Sequence, residues 1–180
     1  TWTTGSNTNT YTYYENDGSI LDMYSESPST SDTYNYTPVT SQCGNAPSEG
    51  ICYNREHSFP KSWFNGKVFP MYTDIHHIYA TDGYVNGKRS NYPFGEVSSV
   101  TWTSENGSQL GSGDETLGYT GIVFEPIDEF KGDFARAYFA HYDGMWGCQM
   151  ERKPLVAWFG SHVCSLPIAA AAKCIELVLS

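Results

Sequence analysis

The chain has 180 residues, about one domain's length, and a formal net charge of −10. That acidity argues against a general nucleic-acid-binding protein, because phosphate contacts require Lys and Arg. No segment approaches the roughly 18 consecutive apolar residues of a membrane span, so we expect no association with a membrane. Aromatic residues make up 16% of the chain, and their large rings are expected to supply much of the core.

The basic residues are unevenly distributed along this acidic chain. Residues 1–54 contain no Lys or Arg and six acidic residues. Five of the ten basic residues then fall between residues 55 and 89, where only three acidic residues occur. A catalytic site for phosphodiesters requires only a local positive region and a bound cation. The net charge therefore weakens a nuclease interpretation without excluding it.

The amino-terminal part of the chain predicts mostly loop. Residues 1–13 are polar without apolar periodicity and are expected to form an extended lead-in, whereas residues 20–24 (ILDMY) form the first predicted strand. Cys43 and Cys52 enclose a loop rich in Gly, Asn and Pro, which predicts a disulfide bond in an oxidising compartment. Two unrelated thiols are the alternative. The other three cysteines lack the spacing of a zinc site.

The middle of the chain predicts two strands and a short helix. Segments 53–59 and 72–79 are rich in aromatic or β-branched residues and are separated by turn residues. Thr81 is placed to cap a helix that extends to about Ser90, although two glycines weaken it.

The last third of the chain predicts loop followed by helix. Residues 95–121 predict loop with short strands such as 100–102, and apolar residues at helical spacing predict a helix over Glu129 to Tyr142. Within it, Asp133 and Arg136 are predicted to form an ion pair. A second helix is predicted at 167–179, with Pro at its start. Short strands, long loops and few helices together predict an α+β fold.

Four residues combine into a candidate site. Glu56 and His57 end the first strand of the pair, and Asn86 and Arg89 lie three apart on the predicted helix, where such residues share a face. The Glu56 carboxylate and the Asn86 amide oxygen suit Mg²⁺, which prefers oxygen ligands. His57 can take a proton from water near neutral pH, and Arg55 or Arg89 can stabilise charge on phosphorus. By spacing alone, ordinary structural roles for His57 and Asn86 are the more common outcome.

His76 and His77 raise the alternative of a zinc site with His57. Adjacent residues on a strand point to opposite faces, so at most one of the two can join His57. The favoured interpretation is that one of them is packed or hydrogen-bonded and the other lies near the site.

Several blocks of sequence are more specific than this spacing. In chain order they are 54–63 (NREHSFPKSW), 72–78 (YTDIHHI), 83–93 (GYVNGKRSNYP), 118–121 (GYTG), 124–126 (FEP) and 131–136 (KGDFAR). Over about residues 12–142 the chain resembles the bacterial endonuclease I family, which belongs to the His-Me finger (ββα-metal) nucleases.

The resemblance implies a ββα-metal core surrounded by short strands, long loops and a few helices. It also implies His57 as general base and Glu56 with Asn86 as ligands of Mg²⁺, for which Mn²⁺ or Ca²⁺ can substitute. Arg89 is the best candidate for a phosphate contact. Arg55 stands two residues before the His, where a related branch of the superfamily also carries Arg.

We therefore expect a catalytic domain over residues 1–144 and a tail, residues 145–180, that does not match the family. The predicted function is a secreted or periplasmic, monomeric, divalent-metal-dependent endonuclease that hydrolyses DNA, RNA or both with little sequence preference. Two alternatives stay open: a secreted carbohydrate- or ligand-binding module that uses exposed aromatic residues, and a catalytically inactive nuclease homologue.

Overall fold

The structure is a computed structural model that describes residues 18–28, 30–117 and 119–142, with side chains described up to residue 138. The expectations for residues 1–13, for the helix at 167–179 and for the tail from residue 145 lie outside these residues. The described chain combines strands and helices, which confirms the α+β class. None of the helices in the described part is long and apolar enough to cross a membrane.

The first sheet pairs two strands from well-separated segments. β1 (Tyr53–His57) runs antiparallel to β2 (Ile78–Asp82), with Tyr53 opposite Asp82 and His57 opposite Ile78. Helix α1 (Gly83–Arg89) follows β2 directly and packs against both strands. The strand predicted at 53–59 and the helix predicted at 81–90 are confirmed, each slightly shorter than expected.

The second predicted strand of this pair, 72–79, was wrong in its bounds. Met71–Thr73 form a short 3₁₀ helix, and the backbone N–H of His76 donates to the Asp74 carboxylate at 3.0 Å. A side chain that bonds nearby backbone offers the chain an alternative to sheet pairing. Extended pairing therefore begins only at Ile78.

Residues 20–24, predicted as a strand, form a buried irregular segment with a turn instead. The Asp22 carboxylate accepts hydrogen bonds from the backbone N–H groups of Tyr24 at 3.0 Å and Asp82 at 2.8 Å. The Asp22 carbonyl also accepts from the N–H groups of Ser25 and Glu26. The hydrophobicity of this segment thus reflects burial in the core, while the polar residue at its centre determines the local conformation.

Helix α1 is capped by Asp82 rather than by the predicted Thr81, which is buried in β2. The Asp82 carboxylate accepts from two N–H groups of the first turn, at 2.7 and 2.9 Å, and so satisfies donors that have no partner within the helix. It also accepts from the Tyr36 hydroxyl at 2.6 Å and the Gly50 N–H at 2.8 Å. The cap therefore ties the loop before β1 to the start of α1.

That loop also contains the predicted disulfide bond. Cys43 and Cys52 are joined, with their Cα atoms 5.7 Å apart. The Cys43 N–H donates to the Tyr53 carbonyl at 2.9 Å, so the closed loop is fastened to the first residue of β1.

The second sheet is antiparallel and has the order β3 (Val97–Thr103), β4 (Gln109–Gly113), β5 (Ile122–Glu125). Helix α2 (Asp128–Tyr142) follows it. Both the strand piece predicted at 100–102 and the helix predicted at 129–142 are confirmed.

Helix α2 supplies much of the aromatic core that the composition predicted. Phe130, Phe134 and Tyr138, spaced four apart, are all buried, and the Phe134 ring centroid lies 4.6 Å from that of Phe94. The predicted ion pair between Asp133 and Arg136 is present on the outer side of this helix. The core thereby brings α2 against α1 and the end of β1, where Tyr138 reaches polar groups.

Candidate active site

The side chains of β1 divide between two faces, because successive residues of a strand point in opposite directions. Asn54 and Glu56 form the helix face, since both hydrogen-bond to side chains of α1. Arg55 and His57 form the loop face, where the His57 ring contacts the connection between β1 and β2.

On the helix face, Glu56 forms a buried ion pair with Arg89. The Arg89 Nη1 atom donates to Glu56 Oε1 at 2.5 Å, and the two side chains are 1% and 3% exposed. The Tyr24 hydroxyl donates to the same carboxylate oxygen at 2.9 Å. Glu56 is therefore held at one oxygen by two donors, and within the described residues Oε2 has no such hydrogen bond.

Arg89 also contacts the end of β1, helix α2 and an aromatic ring of the core. Nη1 also donates to the His57 carbonyl at 3.1 Å, and Nη2 donates to the Ser58 carbonyl at 2.5 Å and the Tyr138 hydroxyl at 3.3 Å. The guanidinium carbon lies 4.5 Å from the Phe94 ring centroid. This geometry makes Arg89 an internal brace between α1, the end of β1 and α2. The phosphate contact expected of Arg89 stays a prediction.

Burial raises the pKa of Glu56 above its ordinary value, while the Arg89 charge and the Tyr24 hydrogen bond act in the opposite direction. The carboxylate thus depends on nearby positive charge to remain ionised in this apolar surrounding. A bound divalent cation would add to that charge and favour the ionised form.

Asn86 is fixed by a second hydrogen bond on the helix face. Its Nδ2 atom donates to Asn54 Oδ1 at 2.7 Å, and Asn54 Nδ2 donates in turn to the Gly44 carbonyl at 2.6 Å. Because a carbonyl only accepts, these bonds determine the orientation of both amides. They leave Asn86 Oδ1 without a hydrogen bond among the described residues.

On the loop face, the His57 ring is fixed by the opposite connection. Its Nε2 lies 3.1 Å from the Tyr72 carbonyl oxygen, which only accepts, so Nε2 carries the hydrogen and Nδ1 the lone pair. Nδ1 is buried and has no hydrogen-bond partner among the described residues. The ring stacks on that of Tyr72 with centroids 5.3 Å apart. Burial lowers the pKa of His57 to about 4, which keeps the imidazole neutral at physiological pH.

Two exposed cations stand near this ring. Arg55 is exposed on the loop face, two residues before His57, and Lys61 is exposed in the following 3₁₀ helix. Both charges act on His57 and disfavour its protonated form. Arg55 is therefore available to solvent, in contrast to Arg89.

Of His76 and His77, one is packed and hydrogen-bonded as the favoured interpretation expected, but that same residue, and not the other, lies beside His57. His77 is buried with its Nε2 2.7 Å from the Met71 carbonyl oxygen, while His76 is exposed. The His77 ring meets the His57 ring edge-on, with centroids 5.5 Å apart. Among residues 18–28, 30–117 and 119–142, no group of three His, Cys, Asp or Glu side chains is arranged to hold a metal ion.

The predicted site residues thus fall into two parts on either side of β1. On the helix face, Glu56 pairs with Arg89 of α1 and Asn86 of the same helix bonds to Asn54, while His57 and Arg55 lie on the loop face. The His57 ring makes no hydrogen bond to Glu56 or Asn86. Arg89, which belongs to the helix-face group, donates a hydrogen bond to the backbone carbonyl of His57.

The oxygen donors of the helix face are of the kind that a hard divalent cation such as Mg²⁺ prefers. Such an ion prefers oxygen ligands and is usually bound by one or two carboxylates with several positions left for water and substrate. Glu56 supplies a carboxylate, and Asn86 supplies an amide oxygen whose hydrogen-bonding capacity the described residues leave unused. The donor set has no soft ligand and therefore does not favour zinc over magnesium.

Sequence reasoning missed Asn54, Tyr24 and Tyr72. Asn54 carried a usable signal, because a residue two positions before Glu56 on a strand shares its face. Tyr24 lies 32 residues from Glu56 in a turn, and no local pattern connects them. Tyr72 bonds His57 through its backbone carbonyl. Every residue type has such a carbonyl, so the residue type gives no signal for this contact.

Comparison with known proteins places the chain among nucleases. The family model for endonuclease I matches residues 1–157. A stretch of 96 residues, 51% of the chain, is 36% identical to an extracellular ribonuclease of Bacillus amyloliquefaciens. That match covers only 30% of the relative's length, so the chain corresponds to a part of it. No solved structure matches the chain significantly.

Proposed function

The chain belongs to the endonuclease I family, and from this membership we propose that it is a secreted, metal-dependent endonuclease that hydrolyses phosphodiester bonds with little sequence preference. The substrate is RNA, DNA or both. The partial match to an extracellular ribonuclease supports secretion and an RNA substrate. The succession of β1, β2 and α1 supports a ββα-metal (His-Me finger) core, since the site residues lie on the first strand and on the helix.

The state of His57 is the observation that carries the proposal. A general base must be unprotonated at working pH and must present a lone pair. His57 has a lowered pKa, its Nε2 hydrogen is directed to the Tyr72 carbonyl, and its Nδ1 is left with the lone pair. We assign Nδ1 as the atom that takes the proton from the attacking water, which would have to enter beside this buried atom when substrate binds.

Glu56 Oε2 and Asn86 Oδ1 are the atoms that would hold the cation. When bound, it supplies Lewis-acid stabilisation of the phosphate and of the departing 3′ oxygen. Attacking and leaving oxygens lie roughly in line on opposite sides of phosphorus. The placement of His57 on the other face of β1 from Glu56 and Asn86 agrees with that requirement.

Three of the described cations near the site, Arg55, Lys61 and Arg89, have different roles. Arg55 and Lys61 are exposed and are suited to contact substrate phosphates, whose negative charge needs to be balanced in an acidic protein. Arg89 keeps the Glu56 carboxylate in place and is a positioning residue in this geometry.

The test is cleavage of supercoiled plasmid DNA and of a structured RNA by purified protein freed of metal. We expect nicking of the plasmid, shortening of the RNA, or both, when Mg²⁺ or Mn²⁺ is added, and neither in EDTA. A correctly folded protein that cleaves neither substrate with either metal contradicts the proposal, as does equal cleavage in EDTA.

A further inference from the structure

We propose that Asn54 is a positioning residue that fixes the orientation of the Asn86 amide for cation binding. The loop closed by Cys43 and Cys52 in turn fixes the orientation of the Asn54 amide. This inference rests on the proposed function, because it assigns Asn86 to the cation.

The two ends of an amide side chain differ in chemistry. One end accepts and the other donates, and rotation by 180° exchanges them. An Asn that binds a cation must present its oxygen, since the amide nitrogen in that place would direct its hydrogens at the positive charge. Asn86 therefore needs a neighbour that distinguishes the two ends.

Asn54 is that neighbour. Its Oδ1 accepts from Asn86 Nδ2 at 2.7 Å, which leaves Asn86 Oδ1 for a cation. If the Asn54 amide rotated, its own NH₂ group would face the NH₂ group of Asn86. The orientation of Asn86 is therefore only as secure as the orientation of Asn54.

The disulfide-closed loop secures Asn54. Asn54 Nδ2 donates to the Gly44 carbonyl at 2.6 Å, and Gly44 follows Cys43 directly. Rotation of the Asn54 amide would place two oxygen atoms against each other at that distance. The three groups thus form one directed series, from the Gly44 carbonyl through Asn54 to Asn86.

The packing around Gly83 keeps this series in place. The Gly83 N–H, at the start of α1, donates to the Cys52 carbonyl at 2.9 Å. A Cβ atom added at Gly83 would lie 3.3 Å from the carbonyl oxygens of Cys52 and Gly44 and 3.4 Å from Asn54 Nδ2. The loop, β1 and α1 therefore meet in close contact at this point, with little room for the Gly44 carbonyl to move.

The experiment is a double-substitution cycle read by cation binding in the absence of substrate. Full-length metal-free protein is titrated with Mn²⁺, and free Mn²⁺ is measured by electron paramagnetic resonance. The variants are Asn54→Ala, Asn86→Asp and the two combined. A carboxylate at position 86 presents an oxygen in either orientation and has no hydrogen to donate to Asn54 Oδ1, so Asn54 cannot help to orient it.

We expect Asn54→Ala to weaken Mn²⁺ binding about tenfold or more, as is usual when a residue that orients a metal ligand is removed. In the Asn86→Asp background the same substitution should not weaken the affinity, because Asn54 Oδ1 makes no hydrogen bond to a carboxylate at position 86. Asn91→Ala, which removes an exposed amide bonded to Ser62, serves as the matched control and should bind like the wild type.

Thermal unfolding of each variant without metal comes first. If Asn54→Ala does not fold, Asn54→Ser replaces it, because its hydroxyl is too short to span to Asn86. Equal affinity of Asn54→Ala and the wild type, or equal losses in the two backgrounds, would overturn the inference while leaving the nuclease proposal intact. A wild type that neither binds Mn²⁺ nor cleaves nucleic acid would overturn both.

Discussion

The helix face and the loop face of β1 are one residue apart in sequence and are organised in different ways. On the helix face, each proposed ligand is held by hydrogen bonds from other elements, and the buried charge of Glu56 is balanced by Arg89. On the loop face, a single hydrogen bond to a backbone carbonyl orients His57, and Arg55 is exposed. The proposed cation ligands are thus fixed by side-chain hydrogen bonds, whereas His57 is fixed by burial, by ring contacts with Tyr72 and His77 and by one bond to backbone.

The comparison predicts the largest combined effect at Glu56. Glu56→Gln keeps the size of the side chain but removes a proposed cation ligand and leaves the Arg89 charge buried without a counter-ion. Removing one partner of a buried ion pair costs about 3–5 kcal/mol of unfolding free energy, and activity should fall to background. Urea unfolding and plasmid or RNA cleavage measure the two losses.

Asn86→Ala is the matched variant for that prediction. It removes the other proposed ligand without leaving a charge unpaired, so activity should again be lost while stability falls by only about 1 kcal/mol, the value of one hydrogen bond. If Glu56→Gln and Asn86→Ala have the same unfolding free energy, the helix face is not stabilised by the ion pair as described.

The loop face predicts a pH dependence of stability. The pKa of His57 is about 4 in the folded protein against an ordinary value of 6.5. Between these values the unfolded chain binds a proton at this position and the folded chain does not, so stability is lost as the pH falls from about 6.5 towards 4. Above 6.5 the contribution is constant.

His57→Gln cannot titrate and provides the comparison. Urea unfolding of metal-free protein at pH 7 and pH 4.5 should show that the wild type loses more stability on acidification than this variant does. Parallel losses in the two proteins would mean that His57 is not held neutral by burial.

Arg55 should give the smallest effect of the set. Arg55→Gln removes a proposed phosphate contact, so substrate binding should weaken a few-fold for all sequences. The slope of the logarithm of the binding constant against the logarithm of the salt concentration should become shallower by about one. Arg136→Gln removes an exposed cation of α2 that is paired with Asp133 and should leave both unchanged. A salt response of Arg55→Gln that equals that of the wild type would remove Arg55 from the substrate surface.

The fold was predictable where local signals agreed with tertiary contacts. Alternation and spacing located β1, α1 and α2, and the loop between Cys43 and Cys52 indicated its disulfide bond. Prediction failed where a polar side chain bonded nearby backbone, as Asp22 does in the buried turn and Asp74 does before β2. In such places the hydrophobic pattern alone does not distinguish a strand from a buried turn, because the pattern does not show which backbone groups a polar side chain will bond.

The candidate site was predictable in its residues and not in its arrangement. The motif blocks pointed to Glu56, His57, Asn86 and Arg89, because the resemblance covers those positions. They did not indicate that Arg89 would be buried against Glu56, since burial depends on Tyr138 and Phe94 from elements distant in sequence. Nor did they indicate the link from Gly44 to Asn86, which passes through a loop outside the motif blocks.

The most direct test of the division between the two faces is a comparison of His57→Ala with His76→Ala, a nearby exposed histidine. For each variant, cleavage with Mg²⁺ and Mn²⁺ binding without substrate are measured side by side. We expect His57→Ala to lose about 10²–10⁴-fold in cleavage rate while binding Mn²⁺ like the wild type, and His76→Ala to match the wild type in both. Cleavage by folded His57→Ala at the wild-type rate, or loss of its Mn²⁺ binding, would contradict a base on the loop face that is separate from the ligands on the helix face.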